Sequence, residues 1–255
     1  MQTMLLQSYR SSHIPSWIMT CMTSAKNWAE KESWSYCFID DDLFEFVPAE
    51  TRRKFFGYPQ MLSDIARLAW AKQVFMEDTS VDRILWLDAD IIIFAPETLD
   101  IAADSRFAVG RQVWVQPGQG NKLKIYRQVH NACLLAGRDT PVLDFLLYTV
   151  LRTADRLDQI SSPQMFGPKL LTALHNIVGF DVIEGIGMAS PLVLQDLVNG
   201  DSGPLGLLQQ SSKVPIGALN LCGSYRNKVI DGVVCNDELF DQAIAQLCER
   251  QGGLF

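Results

Sequence analysis

Positive charge is in short supply in this chain: 22 Lys and Arg stand against 29 Asp and Glu, a formal net charge of -7 over 255 residues. General nucleic-acid binding and broad attachment to anionic lipid both need a basic face, so neither suits this composition. Any anionic ligand must meet local positive charge or a metal. Histidine is scarcer still, and His13, His130 and His175 form no cluster at metal-ligand spacing. The six cysteines (Cys21, Cys37, Cys133, Cys222, Cys235 and Cys248) include no Cys-x-x-Cys pair and sit mostly among apolar neighbours. They read as reduced core thiols rather than a disulfide framework. No stretch offers the ~18 uninterrupted apolar residues of a membrane span. The opening "MQTMLLQSYR" lacks the basic start and apolar run of a signal peptide. The expectation is a cytoplasmic protein, with peripheral membrane contact left open only through the basic-aromatic "TRRKFFGY", a pattern that also marks a solvated helix end. Neither a phosphate-binding Gly-rich loop ending in Lys-Ser/Thr nor a Ser or Cys in a nucleophile-elbow context is present.

What is abundant is apolar sequence, at 48% of residues, enough for one large domain or two intimate subdomains. Strand-like and helix-like segments alternate along it. "TMLLQSY" and "WSYCFI" read as strands, and between them Trp17, Cys21, Ala25 and Trp28 recur at helical spacing behind Pro15. The acidic "DDDLFEF" (Asp40, Asp41, Asp42) suits a solvated helix start, where carboxylates meet the positive end of the helix dipole, although it could also be a metal-binding run. A long helix is expected from Pro59 through "PQMLSDIARLAWAKQVFME", and the strand "RILWL" follows. "RFAVG" and "ACLLAG" are further strand candidates, and "TPVLDFLLYTVLRTADRL", "PKLLTALHNI" and "DELFDQAIAQLCER" are helices. This alternation predicts an α/β fold with a mostly parallel central sheet. The Gly/Pro/Ser-rich region from Asn199 to Gly217 is expected to be a mobile loop able to cover a site.

The most informative stretch is "DRILWLDADIIIF", residues 82–94, which places Asp88 and Asp90 between two apolar runs. An ionised carboxylate in such a setting demands hydrogen bonds, a cation or a cavity. Functional groups gather at the carboxyl ends of parallel strands, and "ILWL" delivers the pair at such an end. In an extended segment the two carboxylates would share a side, with Ala89 opposing them. Hard cations such as Mg²⁺ and Mn²⁺ are held by one or two carboxylates plus substrate phosphate oxygens, so the spacing suits a metal-bound diphosphate. Upstream, Asp64 and Arg67 lie three apart on one helix face, and an arginine fork can hold a carboxylate or phosphate.

On these residues the chain resembles the DXD-containing nucleotide-sugar glycosyltransferases of the family 32 type, relatives of yeast mannosyltransferases and the glucosylating clostridial toxins. "SDIARLAWAKQVF…DRILWLDADIIIF" carries the resemblance. The opening "MLLQSYRSSHIPSWIMTCMTSAKNWAEKESWSYCFIDDDLFEF" and the later "NACLLAG", "FGPKLLTAL" and "NLCGSYR" extend it over most of residues 4 to 227. It implies a GT-A fold, a Rossmann-like sandwich, over residues 1–255, with 1–110 as the nucleotide-sugar-binding half and 111–255 as the acceptor-side half and C-terminal helix. It implies Mn²⁺- or Mg²⁺-dependent, retaining transfer of a sugar from a nucleotide-diphosphate donor to a glycan or other acceptor hydroxyl. Asp88 and Asp90 would bind the metal, and Asp64 and Arg67 the donor sugar and its neighbours. Ala89, Gly167, Pro168 and Ser224 fall on donor-binding motif positions.

Two positions depart from the family pattern. The opening strand ends in "LLQSY" where relatives place a base-stacking Trp, leaving Tyr9 as the platform, and Asn220 of "NLCGSYR" stands where a His could complete the metal site. Trp114 and the following "VQPGQGNK" loop are candidate acceptor contacts. Two other readings stay open: a phosphohydrolase of the haloacid dehalogenase type, with Asp88 as nucleophile, and a catalytically silent sugar-nucleotide or glycan-binding protein.

Overall fold

A computed structural model describes residues 1–101, 104–120, 122–200, 203–250 and 254 of the chain. Its first half builds a parallel core: strand β1 (Thr3–Ser8), helix α1 (Ser16–Lys31), strand β2 (Ser35–Ile39), helices α2 (Ala49–Lys54) and α3 (Pro59–Glu77), and strand β3 (Arg83–Leu87). A short strand β4 (Ile91–Ile93) leads to a long hairpin, β5 (Phe107–Pro117) and β6 (Leu123–Gly137). Helices α4 (Pro141–Arg156) and α5 (Leu170–Val178) follow, then strands β7 (Asp181–Ile183) and β8 (Ile186–Met188). Helices α6 (Pro191–Asn199) and α7 (Gly203–Ser211), strands β9 (Ala218–Asn220), β10 (Lys228–Ile230) and β11 (Val233–Cys235), and helix α8 (Asp237–Cys248) complete the order.

The central sheet runs β2-β1-β3-β6-β5-β7. Only β6 opposes the other strands, pairing antiparallel with β3 and β5, so the predicted α/β class and mostly parallel sheet are what the chain adopts. Period-two alternation assigns the two faces. Leu6, Ile84 and Trp86 point into a core shared with α3 and α4, whereas Leu5, Leu85 and Leu87 join Ala25 and Trp28 of α1 on the other face. All five residues of β3 are buried, as expected for a strand covered on both sides.

Helix α1 starts behind Pro15 and buries the predicted Trp17, Cys21, Ala25 and Trp28. Asp40 caps a short 3-10 turn by accepting from the Asp42 amide, which fits the solvated helix start. Arg52, Arg53 and Lys54 occupy the last turn of α2, where the dipole favours cations, and Phe56 beyond it is exposed. Among the described residues, no helix is long and apolar enough to cross a membrane. All six cysteines are free thiols.

One expectation is corrected. The Asn199–Gly217 region is not an open loop: α7 fills much of it, Leu205 and Leu208 are buried with Val113 and Val115 of β5, and buried Asp196 accepts from the Leu205 amide at 2.7 Å. Residues 201 and 202 of that region lie outside the described residues. Its composition points to a loop because Gly203 and Gly206 fall in the helix itself, on positions with open space beside them, while Leu205 and Leu208 between and beyond them pack. The "VQPGQGNK" segment also differs: Val115, Gln116 and Pro117 finish β5, and the turn follows only at Gly118, with Asn121 outside the described residues.

Candidate active-site cleft

Strand β1 lies between β2 and β3, so the crevice at the carboxyl ends of β1 and β3 is the topological switch point where open α/β sheets bind ligands. A cleft of about 740 Å³ opens there. Tyr9 enters it from the end of β1, Asp88, Ala89 and Asp90 from the end of β3, Asp64 and Arg67 from α3, Asn220 from the end of β9, and Ser224 from the turn that follows. Pro168 reaches it from the opposite wall. Ten of the residues singled out in the sequence include nine that line this one cleft, although they span more than two hundred positions. The tenth, Gly167, sits just behind it.

A turn, rather than strand alternation, presents the two carboxylates. The Asp88 amide extends the β3–β6 ladder by donating to the Ala132 carbonyl at 2.7 Å, and the Ile91 amide then closes back on the Asp88 carbonyl at 3.2 Å. Each carboxylate is met by donors. Asp88 Oδ1 accepts from Arg67 Nη1 at 2.9 Å and Trp86 Nε1 at 2.7 Å. Asp90 Oδ1 accepts from the Asn220 amide at 2.7 Å, and its Oδ2 from the Gly223 backbone N–H at 2.7 Å. A side chain at Gly223 would collide with Trp17 at 2.8 Å and crowd Asp90 Oδ2 at 3.2 Å, so only glycine brings that amide close enough. Burial, with the Asp88 charge adding to it, raises the Asp90 carboxyl to about 6 despite these donors.

Arg67 is the hub on the α3 side. Besides Asp88, it donates to the Asn131 carbonyl at 2.6 Å and lies 3.3 Å from Asp64 Oδ1, while its guanidinium stacks 4.9 Å from the Trp86 ring centre. Asn131 donates to Asp64 Oδ1 at 2.7 Å. Burial raises Asp64 to about 6, opposed by Arg67 and Asn131. Gly167 belongs to this packing: a Cβ there would lie 2.6 Å from Asp64 Oδ2 and 2.8 Å from the Asn131 amide nitrogen. The i, i+3 pair is therefore a buried, multiply bonded unit and not a surface ion pair.

Asn220 turns its amide nitrogen to Asp90 and accepts the Cys222 N–H on its oxygen at 2.8 Å. The backbone donor fixes that orientation, so the side chain offers Asp90 a hydrogen bond where the sequence suggested an oxygen ligand for a cation. Among the described residues, no group of three or more His, Cys, Asp and Glu is placed to hold a metal. Two carboxylates with unused lone pairs remain, a donor set that suits a hard cation completed by substrate oxygens.

Tyr9 is half-buried, with Arg10 5.6 Å from its ring centre, and burial raises its hydroxyl. His130 is fully buried against Gly110, where a Cβ would meet the imidazole at 2.3 Å. Its Nδ1 accepts from the Ala132 amide, and burial lowers it to about 4, against the Asp88 charge, so the ring is neutral. His13 and His175 lie elsewhere. Residues that the sequence reading passed over are Trp86, Asn131 and the hairpin side chains Gln112, Tyr126 and Gln128, all lining the cleft with Trp114.

No protein-family model and no curated protein matches the chain. Among solved structures, a glycosyltransferase involved in glycosylating the major capsid of PBCV-1 aligns over 86% of this chain and 93% of its own, with 11% identity and a TM-score of 0.49. Mouse xyloside xylosyltransferase 1 aligns over 88% and 98%, with 12% identity and a TM-score of 0.45. Both scores are too low to assign chemistry.

Proposed function

We propose that this protein is a GT-A-type glycosyltransferase that transfers a sugar from a nucleotide-diphosphate donor to an acceptor hydroxyl. The observation that carries the reading is the joint arrangement of Asp88, Asp90, Asp64 and Arg67 at the switch-point cleft, built from the residues on which the family 32 resemblance rests. Asp88 and Asp90 would hold Mn²⁺ or Mg²⁺, which when bound would offset negative charge on the departing diphosphate.

The chain's own residues do the positioning. Trp86 and Arg67 fix Asp88, while Asn220 and the Gly223 amide fix Asp90, so both carboxylates are oriented before ligand arrives. Asn131 and Arg67 hold Asp64 at the cleft wall, where its carboxylate would accept from a donor-sugar hydroxyl. Ser224, Pro168 and Ala89 border the same space, and Tyr9 supplies a flat surface for the base. Retention of anomeric configuration is part of the proposal and rests on the resemblance alone, whereas the metal requirement is supported by the resemblance and by the carboxylate pair at Asp88 and Asp90. The rival to be separated from this reading is a catalytically silent sugar-nucleotide binder built on the same cleft. A thermal-shift panel of nucleoside diphosphates and nucleotide sugars, with and without Mn²⁺, tests donor binding, because ligands of the folded state raise the melting temperature by mass action. Release of free nucleoside diphosphate from a stabilising sugar donor then separates the transferase from the silent binder. No stabilisation by any member of the panel would defeat both.

A further inference from the structure

The β5–β6 hairpin projects past the sheet, and its two faces differ in kind. Odd-numbered Val113, Val115 and Ile125 pack into the core beneath α7. The even-numbered residues face the cleft in registered pairs, Gln112 opposite Gln128 and Trp114 opposite Tyr126, with Gln116 next along β5. Tyr225 closes the row, its ring centre 6.0 Å from that of Trp114 at a 50° tilt. None of these six side chains carries a charge.

We infer that this face is the acceptor subsite, and that it takes an uncharged glycosyl group stacked on Trp114 and Tyr126. The inference rests on the transferase reading and adds the substrate class to it. One face of a pyranose is a patch of C–H groups, which complements the negative face of an aromatic ring. Its hydroxyls need paired donors and acceptors. Gln128 donates to Gln112 Oε1 at 2.8 Å, which leaves the Gln112 amide nitrogen and the Gln128 amide oxygen, one donor and one acceptor, beside the aromatic pair. An ionised acceptor would find no charged partner on these six residues. Lys124 marks the outer limit, its ammonium 4.3 Å from the Tyr126 ring centre.

Saturation-transfer NMR on the full chain tests this with methyl α-glucoside, methyl α-mannoside, methyl β-galactoside and lactose as neutral probes, and sialyllactose and glucose 6-phosphate as acidic ones. At least one neutral probe should receive saturation from the aromatic protons, and the acidic probes should receive less. Trp114→Ala and, at a more exposed position, Tyr126→Ala should each weaken that binding about tenfold, the scale of losing one aromatic platform. Calorimetry of UDP or GDP with Mn²⁺ should be unchanged in both variants. Absence of contact with every neutral probe, preference for the acidic ones, or unaltered sugar binding in both variants overturns the inference, as does loss of nucleotide binding in Trp114→Ala, which would place the base on the hairpin. Sugar binding without nucleotide binding in the wild type would instead remove the transferase reading while leaving the hairpin as a sugar site.

Discussion

The two ends of the cleft are built on opposite principles. At the β3 end, charged groups are gathered and restrained: two aspartates separated by one residue, a third on α3, and a single arginine bonded to two of them. On the β5–β6 hairpin, the side chains of Gln112, Trp114, Gln116, Tyr126 and Gln128 that line the cleft are neutral amides and rings, with Lys124 at their outer edge. An end with more carboxylates than cations is incomplete until positive charge arrives. An end without charges selects by shape and hydrogen bonding. On the proposed function, the contrast separates the task of holding a diphosphate from that of recognising a neutral partner within one cavity.

The largest expected effect comes from breaking the charged end. Asp88→Asn and Asp90→Asn should each cut transfer by about a hundredfold or more, since a few kcal/mol of charge stabilisation is at stake in the transition state. Their stabilities should then differ. Both bonds to Asp88 fall on one oxygen, so an asparagine amide can occupy the other position. Asp90 uses both oxygens as acceptors, and an amide nitrogen there must face either the Asn220 amide or the Gly223 N–H. Asp90→Asn should therefore cost about 1–3 kcal/mol in urea unfolding while Asp88→Asn stays near neutral. Equal stabilities would mean that the Asn220–Gly223 cradle is not as described.

Arg67→Lys should come next, lowering turnover roughly tenfold or more with the fold retained, because lysine keeps the charge but cannot reach Asp88, Asp64 and the Asn131 carbonyl at once. Wild-type turnover in this variant would reduce the hub to a structural pair. At Gly223, alanine should destabilise by about 1–3 kcal/mol through overpacking against Trp17 and should weaken cation-dependent binding by displacing the Asp90 donor. A variant with unchanged melting and binding would contradict that account.

How much of this was legible in the sequence depended on distance along the chain. Asp88 and Asp90 stood out because charges inside an apolar run are costly, and Asp64 and Arg67 because helical spacing is a local rule. The alternating elements announced the α/β class for the same reason. Asn131 could not be singled out, since its partner Asp64 is 67 residues away, and Gln112 and Gln128 acquire meaning only through the register of a hairpin whose arms read as two short strands. Asn220 was found at the right place, but its role turned on which end of an amide faces Asp90, a matter decided by the Cys222 N–H. The α7 region was misread because composition reports flexibility only where apolar residues have nothing to pack against.

A smaller, graded effect should follow pH. Asp64 and Asp90 are both raised to about 6, above the unfolded carboxylate value, so the folded protein holds their protons more tightly than the unfolded chain does. Their contribution to stability is present below about pH 4 and is lost as the pH rises through about 6. Cation-dependent nucleotide binding should run the other way, weakening as the pH falls from about 7 to about 5. Parallel melting and titration series check the opposed trends, and a common direction for both would uncouple the carboxylates from binding.

The most direct test of the central claim is calorimetric titration of nucleoside diphosphate into the wild-type protein with and without Mn²⁺, repeated in Asp88→Asn. The account predicts saturable binding that requires the cation in the wild type and is lost in the variant. Binding of equal strength without Mn²⁺, or unchanged cation-dependent binding in Asp88→Asn, would contradict it.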